Sequence, residues 1–197
     1  MDTSALIYLA GLKEPDLKTF KTKIKTTRTK LIISHVQVDE STVHIKFHER
    51  TSKKCDKEVQ TYQQKIDEAL KALKNKGINI RVEPTRIMVC GVSRLDLTRL
   101  SGEEIGDLYD QLRTEIDTCQ KKKGKPKSTL NIACDAVIAV SSMKNDFLIT
   151  CDECLYRSWT KVIKKNKGLM TRFSFPKAYY AKRSPKAVSG CVLGLVT

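Results

Sequence analysis

The sequence predicts an α/β fold in which a mainly parallel sheet carries helices on both faces, and three observations lead there. Segments with apolar residues at helical spacing alternate with short strand-like runs along most of the chain. Two of those runs, Leu31-Ile32-Ile33 and Phe147-Leu148-Ile149, are apolar without alternation, as strands covered on both faces are. Acids stand beyond the ends of these runs, and in open α/β sheets ligands gather just outside the carboxyl ends of the strands.

Taken in order, Asp2-Thr3-Ser4 supplies capping oxygens ahead of the apolar stretch at residues 5–12, so a helix starts there. Residues 13–30 are basic and Thr-rich and read as a helix leading into a strand at Leu31–Ser34. Val36, Glu40, Val43 and Phe47 recur at spacings of four, three and four, which sets Glu40 in line with apolar neighbours on one helix face. His44 and His48 are also four apart, but no HExxH pattern surrounds them and they read as surface residues. Residues 53–76 continue as a helix whose stripe, Val59, Tyr62, Ile66, Leu70 and Leu73, ends at Gly77; it is core or a face for a partner helix. Ile78-Asn79-Ile80-Arg81-Val82 alternates like a strand, and Ile87-Met88-Val89-Cys90 is a further apolar run.

Ser101-Gly102-Glu103-Glu104 is a capping box for a helix through Ile105, Leu108, Leu112 and Ile116 that stops in a lysine run at residues 121–127, expected to be a flexible loop. Residues 132–140 form a helix apolar on most sides. Leu155, Trp159, Val162 and Ile163 suit a last helix ended by Gly168, and residues 187–197 suit an edge strand.

A chain of 197 residues suffices for one core, burying about 70% of its unfolded surface. With 40% hydrophobic and 30% charged residues it has a globular composition, and no apolar run approaches the roughly 20 residues of a membrane helix. Asp2 stands before the first apolar stretch with no basic segment ahead of it, so no secretory signal is expected and the expected location is cytoplasmic. Seven irregularly spaced cysteines predict reduced thiols; Cys151-x-x-Cys154 lacks the second pair a zinc site needs and reads as small buried thiols beside Asp152.

The formal charge of +15 is uneven: residues 153–197 hold ten Lys or Arg against one acid, a net +9. With residues 13–30 and the lysine run, this makes a surface suited to a polyanion, of which nucleic acid is the default; the bland alternative is a solvated lysine-rich surface. The residues picked out for phosphate contact are Lys121, Lys122, Lys123, Lys125, Lys164, Lys165 and Arg172, with Phe175, Tyr179 and Tyr180 as candidates for stacking on bases.

Four acids sit where apolar neighbours make a lone carboxylate costly: Asp2, Glu40, Asp135 and Asp152. Drawn to one rim of a parallel sheet, they form a hard-oxygen site for Mg²⁺ or Mn²⁺. Such an ion beside a basic surface suits hydrolysis of a phosphodiester. The rival reading makes them caps and ion pairs of a nucleic-acid-binding or protein-interaction module, and contacts to them from Lys or Arg favour it.

The same residues resemble the PIN-domain ribonucleases, among them the VapC toxins. Asp2-Thr3-Ser4-Ala5-Leu6-Ile7 is similar to the opening acidic motif of that family, and Ile33-Ser34 with Glu40 to its second. Asp135-Ala136-x-Ile138-Ala139 resembles the third, and Leu148-Ile149-Thr150-x-Asp152 the fourth. The resemblance implies a PIN-like three-layer α/β/α fold over residues 1–155, with an expanded helical middle at about 51–127 and a basic C-terminal extension at 156–197 outside it. It implies a metal-dependent endoribonuclease with Asp2, Glu40, Asp135 and Asp152 as catalytic metal ligands and Ser4 and Thr150 as their supports. It further implies RNA as substrate and an antitoxin-type protein partner, while a homodimer is expected only through the stripe from Val59 to Leu73, if that face is not buried; a degenerate, non-catalytic PIN-like module is the alternative.

Overall fold

Short parallel strands set among longer helices build the molecule, and each strand lies beside a helix that covers it. The computed structural model describes residues 1–26, 28, 30–38, 56–85, 89, 103–124, 127–143, 145, 147–168 and 176–180, and for 56–63, 179 and 180 the backbone alone. Helix α1 spans Thr3–Ala10 and begins where Asp2 accepts the Ala5 N–H; α2 spans Asp16–Thr26, with Asp16 in its first turn and Lys23 and Lys25 in its last, matching the helix dipole. Strand β1 is Leu31–Ser34, and the chain turns helical again at residues 35–38. Helix α3 is Asp56–Asn75 and β2 is Ile80–Glu83. Gly77 stops α3 at φ +70, a left-handed conformation that glycine takes without a Cβ penalty. Helix α4 is Glu103–Lys122, α5 is Thr129–Ser141, β3 is Phe147–Thr150, α6 is Glu153–Lys165 and β4 is Lys177–Tyr180.

Among the described residues the strands form two parallel pairs, β1 with β2 in the register Leu31 to Ile80, and β3 with β4 in the register Phe147 to Lys177. The first two residues lie between the pairs: the Met1 nitrogen donates to Ile32 O at 2.8 Å and the Asp2 nitrogen to Ile149 O at 2.9 Å. Successive residues of β3 feed different clusters, as the period of two requires. Leu148 joins Val36, α4, α5 and α6, including the fully buried Trp159, while Ile149 joins α1, α2, β1 and α3. The fold is thus mixed α/β, mostly helical with short parallel strands.

Several expectations shift. The helix predicted through Ile105 runs into the lysine run as far as Lys122, where two cations complement the carboxyl end of α4, so the first part of that run is helical rather than loop. Strand β2 begins two residues later than the alternation suggests. The last helix ends at Lys165, with Asn166 rather than Gly168 at its cap. Ile66 and Leu73 of the α3 stripe are fully buried against α1 and α2, so this part of the stripe is core and not a docking face; the side chains of Val59 and Tyr62 are outside the described residues. Lys76 strengthens that packing, donating at 2.6 Å to Ala10 O, a carbonyl left open by the end of α1, and at 2.9 Å to Leu12 O just beyond the helix.

The expectation of reduced cysteines throughout also needs correction. Cys119 of α4 and Cys154 of α6 are joined by a disulfide across a sequence separation of 35, because packing of the two helices brings their Cα atoms to 5.6 Å. Cys134 and Cys151 are buried thiols outside the disulfide. The expected strand at residues 87–90 falls almost wholly outside the described residues, and that at 187–197 wholly so. No helix among the described residues is long and apolar enough to cross a membrane.

Candidate acidic site

Three of the four singled-out acids are tied into one network at the carboxyl end of β3. Asp2 is 2% exposed, and both its oxygens are engaged: Oδ1 accepts from Ala5 N–H at 2.8 Å, and Oδ2 accepts from the hydroxyls of Ser4 at 2.8 Å and Thr150 at 2.5 Å. Those hydroxyls reach onward, since Ser4 Oγ accepts from Cys151 N–H at 3.0 Å and Thr150 Oγ1 accepts from Asp152 N–H at 2.8 Å. The two residues expected to support the acids are therefore the bridge between the first and last acidic segments. Burial pushes the Asp2 carboxyl above the usual carboxylate range, against the pull of its three hydrogen bonds.

Asp152 caps α6. Its Oδ1 accepts from Cys154 N–H at 2.7 Å and Leu155 N–H at 3.1 Å, which leaves Oδ2 to face Asp135 across a lysine. Asp135 projects from α5 between the buried Cys134 and Ala136, a position that only a neutralised carboxylate tolerates cheaply. The neutralising group is Lys127, whose Nζ lies 2.8 Å from Asp135 Oδ2 and 2.5 Å from Asp152 Oδ2. Burial pulls the Lys127 ammonium down, but the two carboxylates more than offset it and hold it above the ordinary lysine value. Burial likewise pushes Asp152 up, and the Lys127 charge with the α6 N–H groups outweighs it and holds the carboxyl below its ordinary value. Gln120 Nε2 reaches Asp152 Oδ2 at 3.5 Å from the end of α4.

Glu40 lies outside the described residues, as do His44 and His48. Among the described residues no group of three or more His, Cys, Asp or Glu is arranged to hold a metal ion. A divalent cation nevertheless fits the donors between Asp135 and Asp152, whose Oδ2 atoms already converge on one positive charge. One orphaned polar atom adds to that fit: Asn131 Oδ1, one turn before Asp135 on the same face of α5, is buried without a hydrogen-bond partner. Comparison of the chain with family models, curated proteins and solved structures finds no match.

The basic residues divide into paired and outward-facing ones. Lys121 is paired with Asp117, Lys123 with Glu153 at 2.6 Å, and Lys165 together with Lys161 holds Glu115. Lys164, with Arg157 and Lys161, lines a cavity of about 440 Å³ along α6, the helix that Asp152 opens. A second basic cavity, about 390 Å³, is lined by Lys21, Lys25, Lys30 and Arg81 at the amino ends of β1 and β2. Lys125, Arg172 and Phe175 are outside the described residues, and Tyr179 and Tyr180 are described only as the backbone of β4.

Lys127, Asn131 and Gln120 belong to the site without having been singled out as its parts. For Lys127 a signal existed: a buried acid at Asp135 demands a cation, and the lysine run supplies the nearest. Nothing in the residues alone marks Gln120, which arrives from another helix.

Proposed function

We propose that the chain is a metal-dependent endoribonuclease of PIN-like three-layer architecture, cutting RNA at the rim where Asp2, Asp135 and Asp152 meet. One observation carries the reading: acids 133 and 17 residues apart in sequence are joined through Thr150 and Lys127 into a single network beyond one strand end. The order of the strand pairs about residues 1 and 2, and the division of β3 side chains between two helical layers, support the architecture.

Asp135 and Asp152 would hold Mg²⁺ or Mn²⁺, with Asn131 and Glu40 as further oxygen donors. The ion, when bound, polarises the phosphate and activates the attacking water. The chain does the rest. Thr150 and Ser4 fix the Asp2 carboxylate, Gln120 steadies Asp152, and the cations along α6, Lys164 foremost, lead the phosphate backbone toward the cap at Asp152. Water adds to phosphorus as the bond to the leaving ribose oxygen breaks, and that oxygen takes up a proton. Asp135→Asn should abolish Mn²⁺-stimulated cleavage of a panel of structured and single-stranded RNAs while leaving the circular dichroism spectrum intact. Undiminished cleavage by that variant would sink the reading.

A cytoplasmic location, a protein that plugs the acidic site in the manner of an antitoxin, and a homodimer belong to the same proposal. Growth arrest on expression of the wild type, relieved by a co-purifying small protein, would support the toxin-like form.

The second reading, a non-catalytic nucleic-acid-binding or interaction module, is favoured by a specific observation: Asp2 and Asp152 cap helices, and Lys127 pairs with both Asp135 and Asp152. It predicts RNA binding with no cleavage and no rise in melting temperature on adding Mn²⁺, whereas an ion that binds the folded state must raise it.

A further inference from the structure

We propose that Lys127 is the resting counter-cation of the acidic site, an internal competitor that a divalent ion must displace from Asp135 and Asp152. The inference rests on the nuclease reading of the same site and deepens it. Lys127 precedes Ser128, the residue that caps α5, so its backbone is anchored at a helix start while its side chain folds along the helix to Asp135, eight residues on. The same nitrogen reaches Asp152 at the head of α6. One ammonium thus spans carboxylates from two helices and touches a single oxygen of each, the Asp152 oxygen being the one left over by the α6 cap.

Two carboxylates that are 13% and 15% exposed repel one another, and removing the cation between them strands buried charge. Metal-free protein therefore needs Lys127 where it is. A divalent ion meets the same need with twice the charge and cannot share the position. Lys127 itself is 30% exposed and swings on a flexible four-carbon stem, so its head has an outward path to solvent or to a phosphate of bound RNA. Gln120, neutral and on α4, can keep its hydrogen bond with Asp152 throughout. The metal competes with a tethered group, so its apparent affinity is reduced by the fraction of molecules in which the ammonium has already left.

The test is calorimetric titration of Mn²⁺ into the full chain without RNA, on wild type, Lys127→Met, Lys127→Arg and Asp135→Asn. Lys127→Met keeps the stem and loses the charge. It should melt lower than wild type without metal, bind Mn²⁺ roughly ten-fold or more tightly, and gain more in melting temperature from the ion. Lys127→Arg keeps the competitor and should gain no affinity, and Asp135→Asn should lose the binding. Equal Mn²⁺ affinity in wild type and Lys127→Met overturns the proposal while leaving the nuclease reading in place. Absence of Mn²⁺ binding in every variant overturns both. If Lys127→Met folds only when Mn²⁺ is present, that dependence supports the competition. If it does not fold at all, Lys127→Gln replaces it, under the same expectation and the same overturning result.

Discussion

Thr150 donates its hydroxyl proton to Asp2 across a sequence separation of 148, at 2.5 Å, and accepts the Asp152 N–H on the same oxygen. A single side chain of β3 therefore sets the position of the first acid and of the last. Thr150→Val is close to isosteric but leaves a buried carboxylate oxygen and a buried N–H short of a partner. It should cost about 2–4 kcal/mol in urea unfolding and remove the proposed nuclease activity, whereas Thr150→Ser should retain most of both. A stable, active valine variant would show the bridge to be dispensable.

Below about pH 6, metal-free protein should gain stability on further mild acidification, and the sign follows from Asp2. Its folded carboxyl titrates above the unfolded value of 3.8, so the folded state binds the proton first and stability rises as pH falls from neutral through the folded value. Asp152 acts in the opposite sense. Its folded value lies below 3.8, so the stability it contributes is present above that pH and is lost as pH falls through the folded value. The buried Met1 ammonium, pulled down to about 6, works against the climb above that pH, so melting temperature should climb as pH falls below about 6 and then fall at the acid end. In Asp2→Asn the climb should be missing; a climb of unchanged size in that variant would assign it to another group.

Reducing the Cys119–Cys154 bridge should loosen the floor beneath Asp152, since Cys154 donates its N–H to that carboxylate and Cys119 adjoins Gln120. Closure of a loop of this length contributes about 4 kcal/mol in the chain-entropy model. Cys119→Ser should melt lower than the oxidised wild type and no longer respond to dithiothreitol, with thiol titration reporting the bridge directly.

The proposed affinity for RNA should depend on the cations that face outward more than on those already paired. Lys164→Glu, along α6, should weaken binding of single-stranded RNA at every sequence and lower the slope of log affinity against log salt by about 0.7 for each phosphate it ceases to neutralise. Lys121→Gln removes a cation that Asp117 already holds and should do less. Truncation after Lys167 is a poor test of the same idea, because it deletes β4, whose register with β3 runs from Phe147 to Thr150, and the Pro176 carbonyl that accepts from Trp159.

Residue order alone marked most of the described helices and the strands at Leu31 and Phe147, because apolar spacing is a local property and is read within a single turn or pleat; it did not mark β4, whose place is set by pairing with β3. It marked Asp2, Asp135 and Asp152 as misplaced, since a carboxylate beside apolar neighbours is costly wherever the chain later goes. The resemblance to the PIN-domain ribonucleases, not local pattern, pointed to Ser4 and Thr150, whose hydroxyls donate to Asp2. What neutralises the acids was decided only by tertiary structure. Lys127 reads as one more lysine of a solvated run until α5 and α6 pack and draw two carboxylates onto its ammonium. The Cys119–Cys154 bridge and the burial of Ile66 and Leu73 against α1 and α2 were likewise decided by packing, because each depends on the distance between residues far apart in sequence, which no local pattern encodes.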